Sequence, residues 1–201
     1  MFRNLGKEDL RLDGITVVPG VGLSSNVYVF QGEEITLIDT GVGDEYNRLD
    51  QELEQLGIQV RNVTQVVLTH THPDHFGGLL AIQTISSPRI LVHRLDGHAL
   101  DVLDLDQIGF IEAGEEVTAD RHRLKVIHTP GHTAGSICLF DEAKSILFSG
   151  DTVFPNGFFG RTDLPTGDSS ALVESLRRLT GLDVESLLAG HEGPVIREGS
   201  S

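Results

Sequence analysis

Residues 69–75 read THTHPDH, and this stretch places three histidines and an aspartate side by side. In an extended segment, residues i and i+2 point to the same side, so His70 and His72 can present two imidazoles to one point. The proline that follows fixes φ and turns the chain, so that Asp74 and His75 face a second point nearby. Zinc sites normally use three or more protein ligands. The stretch therefore predicts two metal positions that need further ligands from elsewhere.

Three later segments offer those ligands, and each follows a predicted β-strand. HTPGHTAGS offers His132, FSGDTVF offers Asp151 and LLAGHEG offers His191. A glycine beside each candidate lets the backbone approach a crowded site without a Cβ clash. Ligands that converge from several strand ends are typical of catalytic metal sites.

Segments rich in Val, Ile and Thr, bounded by turn residues, predict the strands. The first three are residues 14–20, 26–31 and 33–41, which we expect to be antiparallel neighbours. The other predicted strands lie in residues 63–70, 89–93, 123–132, 136–151 and 184–194, of which 136–151 is a hairpin about the turn DEAK.

Apolar residues at steps of three and four predict three helices. The first covers 44–57, with Asp44 as its N-cap, the second covers 76–86, and the third covers 169–179 and begins at Asp168 or Ser169. Strands and helices in mixed order favour β-sheets packed face to face with helices outside. We expect residues 1–201 to form a single domain.

Charge and hydropathy exclude several classes of function. The chain has 30 acidic and 15 basic residues and a formal net charge of -15. Nucleic acid is not an expected partner, because its binding rests on basic patches. Neither a membrane-spanning run nor a signal peptide is recognisable, so we expect a cytoplasmic protein with a small-molecule substrate and no membrane partner. The sequence leaves the oligomeric state open.

The spacing H-x-H-x-D-H, followed by GH, GD and a final GH, resembles the metallo-β-lactamase fold superfamily from LIDTG to AGHEG. The resemblance implies a four-layered αββα sandwich of two mixed β-sheets flanked by helices, with the site along one edge of the sheets. It also implies a division of the ligands, with one metal held by His70, His72 and His132, the other held by Asp74, His75 and His191, and Asp151 bridging both.

Such a site predicts a dinuclear metal-dependent hydrolase. Two divalent metal ions lower the pKa of a bridging water, and the resulting hydroxide is the nucleophile. Asp74 is the candidate catalytic residue that orients this hydroxide and accepts its proton. Zinc is the expected metal, and iron or manganese are the alternatives, because imidazole and carboxylate suit all three.

The segment GDTVFPNGFFGRTDLPTGD narrows the resemblance to the glyoxalase II-like thioesterases (hydroxyacylglutathione hydrolase-like) and the persulfide dioxygenases. The chain ends about ten residues after His191. We therefore expect a short variant without the helical domain with which glyoxalase II holds glutathione. Thioester hydrolysis is the predicted activity, and a mononuclear iron persulfide dioxygenase is the alternative. A lactonase or a non-catalytic metal-binding domain is less favoured.

Other relatives fit the sequence less well. A diiron flavoprotein oxidase would carry Glu in place of His72 and a flavodoxin-like domain. True β-lactamases generally do not use a bridging Asp at position 151, and they are secreted. RNA-processing relatives carry an additional RNA-binding segment.

Five further polar residues lie outside the set of candidate ligands. Asp39 in LIDTG can orient a ligand by accepting its second ring N–H, or it can simply form the turn before Gly41. His93, His98 and His122 fall outside the ligand pattern and are interpreted as structural, whereas His128 is near enough to His132 to support it.

The substrate is expected to meet the loop after Asp151. We predict Phe158, Phe159 and Arg161 as substrate-binding residues at the mouth of the site. The Arg161 guanidinium can receive an anionic substrate on an otherwise acidic surface. The alternative is that Arg161 pairs with Asp163 or Asp168 and braces the loop.

Overall fold

The first β-sheet has seven strands in the computed structural model, which describes residues 2–103, 105 and 107–197. Along the sheet, in chain order, these are β1 (Arg3–Asn4), β2 (Ile15–Val18), β3 (Val27–Gln31), β4 (Ile35–Ile38), β5 (Val63–Val67), β6 (Arg89–His93) and β7 (Ile108–Ile111). Strands β2, β3 and β4 are antiparallel neighbours, as the sequence predicts. Strands β4 to β7 run parallel.

The second β-sheet has six strands within the described residues. They are β8 (Glu116–Ala119), β9 (His122–His128), β10 (Ile137–Asp141), β11 (Ile146–Gly150), β12 (Ser186–Ala189) and β13 (Val195–Ile196). Their order across the sheet is β13-β12-β11-β10-β9-β8. Strands β10 and β11 form the predicted hairpin. Strands β1, β7, β8 and β13 are not predicted from the sequence, and all four are edge strands of their sheets.

The two sheets pack face to face through an apolar core. In this core the rings of Tyr28 and Phe148 meet edge to face at 5.3 Å, and Phe30 packs beside them. Along β9 the pattern of period two is visible, since Leu124 and Val126 are buried whereas Arg123 and Lys125 are exposed. This alternation places one face of the strand in the core between the sheets.

Helices cover the outer faces of both sheets. Leu53 of α1 (Leu49–Gln55) and Ile82 of α3 (Leu79–Gln83) belong to a second apolar cluster with residues of the first sheet. Leu179 of α4 (Ser169–Leu179) packs with Phe140 on the outside of the second sheet. The expected four-layered αββα sandwich of two mixed sheets is confirmed. Among the described residues, no helix is long and apolar enough to cross a bilayer.

The predicted helix over 44–57 is wrong at its start. Helix α1 begins only at Leu49, and Asp44 caps the preceding turn by accepting hydrogen bonds from the amides of Tyr46 and Asn47 at 2.9 Å. The Asn47 side chain accepts a hydrogen bond from the Val21 amide at 2.9 Å. These bonds compete with helical hydrogen bonds, so the segment forms a turn instead.

The predicted helix over 76–86 is helical in only part of this range, because a glycine pair near its start separates two short helices. Helix α2 (Pro73–Phe76) ends before the pair Gly77 and Gly78, and α3 begins after it. A Cβ atom at Gly77 would lie 2.0 Å from the carbonyl oxygen of Val42. The close approach of these two backbones needs glycine and interrupts the helix. By contrast, α4 covers the predicted residues and Asp168 is its N-cap, accepting from the amides of the second and third helical residues.

Candidate metal centre

Loops at the carboxyl ends of strands from both sheets form one site. The stretch THTHPDH follows β5, and the other three candidate ligands follow β9, β11 and β12. All seven predicted ligands meet here, in three groups whose ligand atoms lie within 4.8 Å of one another: His70, His72 and His132; His70, His75 and Asp151; and Asp74, His75 and His191.

Three imidazoles form the first group. The Nδ1 atom of His72 lies 3.2 Å from Nε2 of His70 and 2.9 Å from Nε2 of His132. His70 and His132 are buried, whereas His72 is half-buried. The sequence predicts that His70 and His72 face one point, the resemblance places His132 with them, and the structure brings the three side chains together.

The group of Asp74, His75 and His191 combines two imidazoles and a carboxylate. The Oδ2 atom of Asp74 lies 3.3 Å from Nε2 of His191 and 3.9 Å from Nε2 of His75. Asp74 and His191 are partly exposed, whereas His75 is fully buried. This group therefore has one side open to the surface.

Asp151 lies between the two groups. Its Oδ1 atom is 3.3 Å from Nε2 of His75, and its Oδ2 atom is 3.5 Å from Nε2 of both His132 and His191. One carboxylate thus faces ligands of both groups. The resemblance implies a bridging ligand in this position.

Asp39 orients the buried part of the site. It follows β4 and accepts a hydrogen bond from His75 Nδ1 at 2.8 Å. It also accepts bonds from the amide and the hydroxyl of Thr69, both at 2.8 Å. Since the Thr69 hydroxyl donates to Asp39, its oxygen is free to accept from His70 Nδ1, which lies 3.2 Å away. The Nε2 atoms of His70 and His75 are therefore left for the site.

A backbone carbonyl orients His132 in the same way. Nδ1 of His132 donates a hydrogen bond to the carbonyl oxygen of Arg161 at 2.8 Å. This bond places the proton on Nδ1 and leaves a lone pair on Nε2, which faces His72. Neutral imidazoles whose lone pairs converge are suited to hold a cation.

The carboxylates favour positive charge at the buried end of the site. Burial opposes charge on His75, but the carboxylates of Asp151 and Asp39 outweigh it and raise the pKa of His75 well above its ordinary value. Burial alone would raise the pKa of Asp151, but the charge of His75 and a hydrogen bond from His191 hold it well below its ordinary value. Asp151 is therefore a carboxylate, as a metal ligand must be.

The pKa values of three other candidate ligands shift in different directions. Burial and the neighbouring imidazoles hold the pKa of His70 well below its ordinary value. Hydrogen bonds to Asp151 and Asp74 raise the pKa of His191 to about 9. Burial would raise the pKa of Asp74, but the hydrogen bond from His191 outweighs it, and the net shift is downward.

Two buried atoms show that the side chains fit a metal ion. Nε2 of His75 and Oδ1 of Asp151 are fully buried and have no hydrogen-bond partner. A buried polar atom without a partner costs free energy, on the order of 1–3 kcal/mol. The two atoms are 3.3 Å apart and face the same point. A cation held between them would satisfy both, and imidazole nitrogen and carboxylate oxygen are ordinary ligands of zinc, iron and manganese.

The loop after Asp151 lies against the site, as predicted. A Cβ atom at Gly160 would lie 2.0 Å from the carbonyl oxygen of Asp151, so this approach requires glycine. Phe158 and Phe159 are 62% and 60% exposed and form an apolar part of this loop. Phe154, which the sequence analysis did not single out, has its ring 6.1 Å from the ring of His191.

The guanidinium of Arg161 makes two hydrogen bonds of 2.7 Å to the carboxylate of Asp163. This is the ion pair of the bracing alternative. The pair is exposed, so the guanidinium is accessible from the surface.

Sequence reasoning missed two buried polar residues beside the site, Asn26 and Asp96. Asn26 directly precedes β3, and Asp96 follows β6 in the segment RLDGH. The signal that identified the ligands, a polar residue at the carboxyl end of a buried strand, would also have found Asp96. No local pattern marks Asn26.

The sequence profile described as "Metallo-beta-lactamase superfamily" matches residues 20–191. A protein of Methanocaldococcus jannaschii described as a probable metallo-hydrolase is 34% identical over 86% of this chain and 89% of its own length. A hydroxyacylglutathione hydrolase of Haemophilus influenzae is 29% identical over 88% of this chain and 90% of its own length. An acyl-coenzyme A thioesterase of Homo sapiens is 30% identical over 85% of this chain and 74% of its own length.

Coverage differs among the other relatives. Three further hydroxyacylglutathione hydrolases are matched over only 49–64% of their own length.

Among solved structures, a metallo-β-lactamase family protein of Thermus thermophilus superposes with a TM-score of 0.76 and 25% identity, covering 90% of this chain and 74% of that one. A protein in a di-iron-bound form superposes with a TM-score of 0.73 and 29% identity, covering 90% and 93%. From the profile, the relatives and the sandwich itself, this chain belongs to the metallo-β-lactamase superfamily.

Proposed function

We propose that this protein is a dinuclear metal-dependent hydrolase that cleaves a thioester of a small molecule. The observation that carries the proposal is the convergence of seven ligands from both sheets on two adjoining positions. A structural zinc site needs only four protein ligands and leaves no position open. Seven ligands, with one side of the site partly exposed, favour catalysis over a purely structural role.

The ligands divide between two ions. In this proposal His70, His72 and His132 hold one ion, Asp74, His75 and His191 hold the other, and Asp151 faces both. When bound, two such ions supply Lewis acidity for the substrate carbonyl and lower the pKa of water so that hydroxide is available near neutral pH. Zinc is the proposed metal. Iron is its main alternative, because one structural relative is a di-iron form.

Asp74 is the proposed proton acceptor. Its carboxylate is the only one of the two ligand carboxylates with substantial exposure, since 29% of its side chain is accessible against 9% for Asp151. Its lowered pKa keeps it ionised near neutral pH, which is the state a proton acceptor needs. The Asp39 carboxylate, in contrast, is engaged by His75 and Thr69 and serves to hold ligands in place.

Two relatives support a thioester as the substrate, because one is a hydroxyacylglutathione hydrolase and the other an acyl-coenzyme A thioesterase. Phe158 and Phe159 offer an apolar surface beside the site for an acyl group. Arg161 offers a positive charge for anionic groups on the thiol part of the substrate. The thiol itself is not specified by these contacts. The cytoplasmic location and the assignment of residues 1–201 to one domain stay predictions.

Metal analysis and thiol release together test the proposal. We expect protein purified without added metal to carry close to two ions per chain and to release thiol from a hydroxyacylglutathione or from an acyl-coenzyme A. Oxygen uptake with a glutathione persulfide, in iron-loaded protein that releases no thiol from either thioester, would favour the persulfide dioxygenase alternative and contradict this proposal.

A further inference from the structure

Asp96 is a buried carboxylate that does not face the metal positions. It is 3% exposed, and both of its oxygens accept hydrogen bonds from loops of the site. Oδ2 accepts from the Thr71 amide at 3.2 Å and from the Thr133 hydroxyl at 2.7 Å. Oδ1 accepts from the Gly135 amide at 2.7 Å. A single carboxylate thus joins a loop of the first sheet to a loop of the second.

The residues that Asp96 joins are neighbours of the three-histidine group. Thr71 lies between His70 and His72 in the sequence, and Thr133 directly follows His132. The Thr71 hydroxyl adds a further bond to the Asp96 carbonyl oxygen at 3.2 Å. Hydrogen bonds that involve a charged group are about twice as strong as neutral ones. Asp96 therefore fixes the distance between the two loops that carry the three imidazoles.

Asn26 holds a loop of the other group, which consists of Asp74, His75 and His191. Its Nδ2 atom donates to the carbonyl oxygens of Ala189 at 3.1 Å and Glu192 at 2.7 Å, on either side of His191. Its backbone amide donates to the carbonyl oxygen of Gly190 at 2.7 Å. Glu192 has a φ of 68°, a backbone conformation that a non-glycine residue rarely adopts without support.

The residue before Asn26 completes the connection. The amide of Ser25 donates to the carbonyl oxygen of Asp74 at 3.0 Å. Ser25 and Asn26 together therefore hold the loops that carry Asp74 and His191, which belong to the same ligand group. They touch none of the three residues of the other group through the hydrogen bonds of the described residues.

We propose that Asp96 and Asn26 are positioning residues, Asp96 for the three-histidine group and Asn26 for the Asp74, His75 and His191 group. The inference rests on the proposed metal centre and does not depend on the substrate. Each side chain acts on residues that neighbour the ligands in their loops and not on a ligand atom. Each should therefore set the affinity of one metal position and leave the other nearly unchanged.

The test measures metal affinity at each position. Asp96→Asn keeps the shape of the side chain but removes its charge and one acceptor. Asn26→Ala removes both donors to the loop of His191. The protein is loaded with cadmium-113, whose NMR spectrum gives a resonance for each ion, and each ion is removed with a competing chelator. A resonance is assigned to the three-histidine group by its loss in His72→Ala.

Asp141→Asn is the matched control. Asp141 is as buried as Asp96, at 2% exposure, but it lies in the hairpin turn at the other end of β11 and bonds His122 at 2.9 Å. It should lower stability without changing either affinity. If Asp96→Asn does not fold, Thr133→Val removes one bond to the same carboxylate, and Asn26→Ser replaces Asn26→Ala in the same way.

We expect Asp96→Asn to weaken the ion of the three-histidine group by about tenfold or more, and Asn26→Ala to weaken the other ion by a similar factor. Equal weakening of both ions by either variant, or unchanged affinities with only the stability loss of Asp141→Asn, would overturn the proposal. These affinities can be measured whether or not a thioester is cleaved. Binding of a single ion would contradict the dinuclear centre, and then only one of the two variants should weaken that ion.

Discussion

Two buried histidine–aspartate pairs occupy opposite ends of the sandwich. They differ in whether the Nε2 atom of the histidine has a hydrogen-bond partner. At the metal centre, Nδ1 of His75 lies 2.8 Å from Asp39, and its Nε2 atom has no hydrogen-bond partner. In the second sheet, Nδ1 of His122 lies 2.9 Å from Asp141, and its Nε2 atom lies 3.2 Å from the carbonyl oxygen of Asp13. Both histidines are fully buried.

The second ring nitrogen therefore separates a candidate ligand from a structural histidine. Burial and an aspartate partner are common to both pairs, so neither feature indicates metal binding by itself. His122 is satisfied within the protein, whereas His75 leaves a buried nitrogen that only another group can satisfy.

Removal of metal should have the largest effect, and only at the His75 end. We expect a chelator to abolish thiol release while most of the far-UV circular dichroism is retained, because the apolar clusters of the two sheets do not include the ligands. Activity should return when metal is added. Complete unfolding on chelation would instead indicate a structural site.

Asp151→Ala should nearly abolish turnover. Loss of a partner of a ligand usually costs 10–100-fold, and loss of a ligand that faces both groups should cost more than about 100-fold. The measurement is kcat for thioester hydrolysis, together with the metal content of the variant. Unchanged kcat with two ions bound would eliminate the dinuclear mechanism.

Asp39→Asn compared with Asp141→Asn tests the two pairs directly. Both substitutions disturb a buried histidine, and both should lower the free energy of unfolding. Only Asp39→Asn should weaken metal binding, by roughly 10–100-fold, because Asp39 holds His75 and Thr69 at the site. Titration with a chromophoric chelator measures this, and equal metal affinities in the two variants would show that the distinction is wrong.

His122→Gln should affect stability alone. His122 donates or accepts through both ring nitrogens, and a buried group left without a partner costs about 1–3 kcal/mol. Urea unfolding measures the loss, and metal content and kcat of the folded protein should remain those of the unsubstituted chain. A loss of metal in this variant would mean that the two ends of the sandwich are coupled.

Arg161→Ala should have the smallest effect. Its exposed pair with Asp163 contributes little to stability, and the substitution keeps the carbonyl oxygen that accepts from His132 Nδ1. If Arg161 receives substrate, kcat/KM should fall several-fold for an anionic thioester and remain unchanged for an uncharged one. Equal reductions for both, with a lower Tm, would identify Arg161 as a brace of the loop.

Local signals predicted some elements well and failed where distant groups intervene. Helix α4 was predicted with its bounds, because Asp168 caps it through hydrogen bonds within three residues. Helix α1 was predicted too long, because Asn47 bonds Val21, which is 26 residues away in the sequence. The glycine pair that divides the second predicted helix is explained by the approach of another backbone segment, which no local pattern reveals.

The sequence by itself predicted seven candidate ligands, because residue type and spacing at strand ends are local properties of the chain, and through the resemblance of these motifs it predicted the family and the layered αββα fold. The tertiary structure alone decided which atoms of those ligands face the site. Asp39 orients His75 across 36 residues, and Asn26 holds the loop of His191 across 163 residues. The first bond joins loops that follow neighbouring strands of one sheet, and the second joins the two sheets. Only the folded sandwich brings these donors and acceptors together.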